Sequence, residues 1–148
     1  MEVGTEEFPY TSKITITMHS DLADPYLPIY GNKVIGCRFC QLDMQGPERI
    51  PTWTLMEETA QAGANKITLK QEVDWQVGEL IGVASTDYEG RHAEKRTIIA
   101  IDRTNPEKPI ITMDKAFEYK HYAATEKYGD ETIDMRAEVG LLSRNVKF

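Results

Sequence analysis

No stretch of this chain holds a single hydrophobic period for long. Apolar and β-branched runs of three to seven residues are cut, again and again, by Gly, Pro, Asn and Asp. That pattern leaves little room for helices and reads as a series of short strands joined by turns. Residues 13–18 put Ile14, Ile16 and Met18 on one face and Thr15 and Thr17 on the other, the two-residue period of a half-buried strand. A loop with Pro25 and Pro28 follows, then short strand-like runs at 33–36, 41–44 and 52–55. Residues 80–84 and 96–102 read as buried strands, and 133–139 alternates strictly, with Asp134, Arg136 and Glu138 opposite Met135, Ala137 and Val139. Residues 141–148 alternate again, as a strand whose partners would lie beyond Phe148. The best helical candidate is 56–62, which Gly63 ends after about two turns, with a strand extension or loop as the alternatives. The expected fold is all-β, a short-stranded sandwich or barrel-like module.

A weak internal repeat supports this reading. Ile67-Thr68-Leu69 is followed by Val73 and Trp75, and Ile111-Thr112-Met113 by Phe117 and Tyr119 at the same spacing. Each copy has a short strand, a charged turn and two apolar anchors, so the pair is expected to form two similar β-corners plugged by aromatics.

At 148 residues, 41% hydrophobic and 28% charged, the chain can bury a core. A formal charge of −7, with the basic residues scattered among acids, argues against a nucleic-acid partner. No run approaches the roughly 18 apolar residues that suggest a membrane span, so no insertion by this segment is expected.

Cys37 and Cys40 form a C-x-x-C. Such a pair can ligate zinc, exchange disulfides, close a disulfide or sit reduced in the structure. Zinc would need two further ligands, and the three histidines, His19, His92 and His121, are not paired at ligand spacing. No metal or cofactor is expected. Asp74, Glu79, Asp87, Glu89 and Glu94 could supply the carboxylate pair of a glycosidase, but ion-pair and surface roles fit their turn positions better, and no catalytic residue is assigned. Trp53, Trp75, Tyr88, Tyr119, His121 and Tyr122 could stack on a sugar ring. Among these the polar loop holding Tyr88, Arg91 and His92 is the candidate ligand-binding site. Asp134, Arg136, Glu138 and Arg144 read as an interstrand ion-pair ladder.

Several segments together resemble a known family. Gly4-Thr5-Glu6-Glu7-Phe8-Pro9-Tyr10, Ile14-Thr15-Ile16 and Tyr30-Gly31-Asn32-Lys33-Val34 are similar to the second half of a G8 domain. Pro51-Thr52-Trp53-Thr54-Leu55, Val73-Asp74-Trp75-Gln76-Val77-Gly78 and the closing Arg136-Ala137-Glu138-Val139-Gly140-Leu141-Leu142-Ser143-Arg144-Asn145-Val146 resemble the segment that follows it. The pattern is that of the fibrocystin and fibrocystin-like family, which is related to cell-migration-inducing and transmembrane hyaluronan-degrading proteins. Two departures stand out. Met44-Gln45-Gly46 replaces the family's Leu-His-Gly, and the Cys37/Cys40 pair is not a general family feature.

The resemblance implies three parts: the end of a G8-like module over 1–62, a small barrel-like cap over 63–131, and the first strands of a right-handed parallel β-helix over 132–148. It implies the extracellular side of a plasma or ciliary membrane, in a membrane-anchored parent. The partners expected are the rest of its own ectodomain and an extracellular protein or glycan. The function implied is a non-catalytic structural or ligand-binding module, with the cap of a hyaluronan-depolymerising ectodomain as the alternative.

Overall fold

The computed structural model describes all residues from Met1 to Phe148. Twelve strands follow one another: β1 (Glu2–Val3), β2 (Ile14–Thr15), β3 (Asp43–Met44), β4 (Trp53–Leu55), β5 (Lys66–Thr68), β6 (Leu80–Val83), β7 (Glu94–Asp102), β8 (Ile110–Met113), β9 (Thr125–Tyr128), β10 (Glu131–Asp134), β11 (Glu138–Leu141) and β12 (Val146–Lys147). One 3-10 turn, Gly90–His92, is the only helical element. The chain is all-β, and it divides into two compact units, one of 1–48 with 144–148 and the other of 49–143.

The first unit holds two parallel pairs, β1 with β3 and β2 with β12. Asn145 fastens the second pair: its amide donates to the carbonyls of Tyr10 and Ser12, the latter at 3.2 Å. Its Oδ1 stands 2.3 Å from where a Cβ on Gly46 would lie, so only glycine fits there. The run at 33–36 forms no strand, and Lys33 takes a positive φ of 53°. Cys37 and Cys40 are joined as a disulfide.

The second unit is a curled antiparallel sheet in the order β4-β11-β6-β7-β8-β5. Its two ends meet. Met56 bridges Leu69, the Glu57 amide donates to Thr68 O at 2.8 Å, and the Lys70 amide donates to Leu55 O at 2.9 Å. The sheet thereby closes on itself, which removes the unpaired edges that short strands would otherwise expose. Residues 56–62 accordingly form no helix but a bent segment with two bridge residues, Met56 and Ala60, against the helical expectation. Met56 and Ala60 are needed as inward residues of the seam, and Ala60 bridges His121. Tertiary pairing overrides the weak propensity of the two alanines and two glutamates.

Alternate residues of each strand enter one core: Met56, Ile67, Leu69, Ile81, Val83, Ile98, Ile111, Met113, Val139 and Leu141, with Trp75 and Phe117 filling the ends. A bulge at Ile99 shifts the β7–β8 register between Ile98 and Ala100, turning Ile99 outward. The strictly alternating run at 133–139 is also not one strand. It breaks after Asp134, where β10 leaves its hairpin with β9, and resumes at Glu138 in the barrel. Between them the Met135 and Ala137 amides donate to Ala124 O and Tyr122 O.

The repeat corresponds to a physical pairing. β5 and β8 lie antiparallel with Ile67 opposite Ile111, and Val73, Trp75 and Phe117 are all buried. Tyr119 is the exception, 37% exposed. Because Leu69 is fully buried at the seam, Leu69→Ala should cost about 2–5 kcal/mol, against well under 1 kcal/mol for Leu80→Ala on the outer face. Urea unfolding followed by tryptophan fluorescence checks the difference.

Candidate functional site

Charged side chains gather at four places in the second unit: Arg49 pairs with Asp74 and Glu79 at 3.8 and 2.9 Å, and three further clusters each have a different job. The most enclosed surrounds Glu94, at the start of β7, which is 6% exposed. Its Oε1 accepts from the Glu118 amide at 2.9 Å and from the Arg96 guanidinium. Its Oε2 accepts from the Tyr119 amide at 3.1 Å and lies 3.0 Å from Nε2 of the fully buried His121. The other ring nitrogen of His121, Nδ1, is 2.8 Å from Ala84 O. A carbonyl can only accept, so Nδ1 donates there, and the hydrogen-bond partners thereby assign a further proton between Nε2 and Oε2. Arg96 also donates to Lys115 O and Ala116 O, at 3.2 and 2.8 Å, and sits over the Phe117 ring. The cluster ties β7 to residues 115–121.

Burial acts to raise the Glu94 pKa. The Glu118 amide, the His121 ring, the Tyr119 amide and Arg96 outweigh it and hold the carboxyl below its ordinary 4.5.

The second cluster contains Asp134 and Arg136. Arg136 pairs with Asp134 at 3.1 Å and with Glu57 at 3.7 Å; Lys70 meets Asp134 at 3.0 Å and Lys108 meets Glu57 at 2.6 Å. Hydrogen bonds from Lys108 to Glu57 and from Lys70 to Asp134 lead the causes that lower both carboxyl pKa values. Glu57, Lys70 and Lys108 were not singled out in sequence, because nothing local pairs them with Arg136. Closure of the sheet through the Met56 and Leu69 bridge brings them there. Glu138 stands apart on the outer face of β11, with its backbone carbonyl accepting from the Ala84 amide at 2.9 Å. Arg144 belongs to the first unit.

The third place is the loop of residues 84–93. Asp87 accepts from the Glu89 amide at 2.9 Å and meets His92 Nδ1 at 2.7 Å, while Ser85 Oγ reaches Asp87 Oδ1 and Glu89 O. The His92 contact is the main cause that lowers the Asp87 pKa. Thr86 Oγ1 accepts from the Tyr122 amide, which ties the loop to its neighbour. His92 stacks on Tyr119, with ring centroids 3.7 Å apart. Tyr88 and Arg91 project into solvent. Of the other aromatics, Trp75 is buried with its Nε1 donating to Pro51 O at 2.7 Å, while Trp53 is 56% exposed.

Because the folded Glu94 carboxyl ionises below 4.5, its contribution is present above the unfolded pKa and is lost as pH falls through the lower folded value. Glu94→Gln, which leaves the buried Arg96 without its charge partner, should cost about 3–5 kcal/mol at neutral pH. The gap between wild type and variant should narrow in acid. Denaturant titrations at a series of pH values measure it.

The family model of the G8 domain matches residues 1–57. Along 99% of its length the chain is 37% identical to part of mouse Fibrocystin-L and 36% identical to part of the human protein. It spans about 3% of the length of either. A G8 domain-containing protein of Dictyostelium discoideum is 27% identical over 99% of the chain, which covers 9% of that relative. The G8 match thus runs through the N-terminal part of the first unit and on past β4 to Glu57, in the seam of the barrel. Residues 1–57 match the G8 domain family model, and the chain as a whole is similar to a short segment of fibrocystin-L.

Proposed function

We propose that this chain is a non-catalytic, ligand-binding structural module in the ectodomain of a large membrane-anchored protein of the fibrocystin-L kind, on the extracellular side of a plasma or ciliary membrane. One observation carries this reading: the carboxylates that spacing offers for glycoside chemistry hold the fold together. Glu94 binds two backbone amides, Arg96 and His121. Asp87 binds the Glu89 amide and His92, Glu79 accepts from the Gln76 amide and Arg49, and Asp74 pairs with Arg49. A glycosidase acid needs a raised pKa, so that it carries a proton near neutral pH. Glu94 and Asp87 are held in the opposite direction.

Kinship with fibrocystin-L supports the extracellular setting, and a Cys37–Cys40 disulfide is a bond that oxidising compartments maintain. No helix of the chain is long and apolar enough to cross a membrane. The parallel pairing of β2 with β12 supports continuation into a right-handed parallel β-helix, which is built from such pairs. The remainder of the ectodomain is then the first partner.

Long-chain hyaluronan incubated with this chain, and with a longer stretch of the parent that includes its downstream coils, should keep its full length by light scattering. Shortening by either protein would overturn the non-catalytic reading.

A further inference from the structure

The outer face of the barrel carries one register row that differs from the rest. Trp53 on β4 lies opposite Gly140 on β11, Gly140 opposite Gly82 on β6, and Gly82 opposite Lys95 on β7. A Cβ at Gly140 would meet nothing within 4 Å, so the space beside the indole is open. At Gly82 the corresponding place is taken by Leu142, whose Cδ1 stands 3.1 Å from where a Cβ would be. Trp53 and Leu142 therefore form two walls, and the bare backbone of β11 is the floor between them. Two strand spacings of about 4.8 Å set the width near 10 Å. The groove measures about 330 Å³ and lies wholly within the second unit, at the small end of the roughly 300–1,000 Å³ typical of small-molecule sites.

Trp53 keeps 56% of its surface in solvent, although an aromatic in a cross-strand row normally packs against the side chain opposite. Gly140 offers it none. Glu138 and Lys95 also line the groove, and both stand outside the ion pairs described above.

We propose that this slot seats a neutral pyranose ring of a glycan. The C–H face of the sugar lies on the Trp53 indole, Glu138 accepts from its hydroxyls and Lys95 donates to them. The pairing of one acid with one base selects the chemistry. Any ionised sugar would meet a like charge at one of the two, whereas a neutral polyol donates and accepts and satisfies both. An apolar side chain from a protein would gain from Trp53 and Leu142 but nothing from the two charged groups. The proposal deepens the reading of a ligand-binding module and rests on it for the presence of a glycan.

The test is saturation-transfer NMR of the whole chain with neutral hexose oligosaccharides, hyaluronan oligosaccharides and an apolar peptide, each tested alone. Neutral sugars should receive saturation on their ring C–H protons. Trp53→Ala and Gly140→Val should each weaken binding at least about tenfold. Both substitutions fall on the outer face, Gly140 does not have a positive φ, and an unchanged thermal unfolding curve verifies each fold. Glu138→Gln with Lys95→Gln should weaken neutral sugars but leave the indole contact. Equal binding by Trp53→Ala or Gly140→Val would overturn the site. Preference for the uronate-containing oligosaccharide would overturn the neutral class, and capture of the peptide alone would make the groove a protein contact. Each of those failures leaves the hyaluronan-length experiment standing as a separate measure of the non-catalytic reading.

Discussion

The seam between β4 and the end of β5 is what the rest of the second unit depends on. Its strands are mostly three or four residues long, too short to be stable as an open sheet with two free edges. Joining Met56 to Leu69 turns six short strands into a ring in which each has two neighbours. The same closure places Glu57 and Lys70 beside Asp134 and Arg136, so the ion pairs there follow from the backbone pairing. Exposed or half-exposed pairs of this sort contribute little each. Their consistent geometry helps to fix which residues meet at the seam.

Glu94 solves a different problem. Residues 114–121 return along the start of β7 without forming a strand, and their amides need partners away from water. A single carboxylate accepts from two of them, and Arg96 donates to two of the carbonyls. A buried ionised group is costly when alone, and here its charge is met by Arg96 and its lone pairs by His121 and backbone donors. The low pKa of Glu94 is thus a sign of structural use, which separates it from the raised acids of hydrolytic sites.

Much of the barrel was legible from alternation and turn residues. β6, β7 and β8 fall where Ile, Val and Thr cluster, and the spacing match between 67–75 and 111–119 corresponds to two strands that pair with one another. What could not be read was whatever depends on closure. Residues 56–62 have helical composition but serve as the seam, and the single alternating run at 133–139 is divided between two sheets. The surface groups were harder still. The loop with Tyr88, Arg91 and His92 attracts notice because it is polar and aromatic, yet its His92 face is taken by Tyr119. Trp53 stands in sequence as one of six aromatics that could stack on a sugar, with nothing local to set it apart from the buried Trp75. Only the register that sets it opposite a glycine reveals an uncovered ring.

The antiparallel pairing of the two repeat copies sends their trailing segments to opposite ends of the barrel. At one end Trp75 is fully buried and Arg103 donates to the carbonyls of Val73 and Trp75. At the other, Tyr119 is partly wet, and Glu94 binds the amides of the segment that carries it. One end is thus filled by an indole and the other tied by a carboxylate, so apolar burial holds the first and charged hydrogen bonds hold the second.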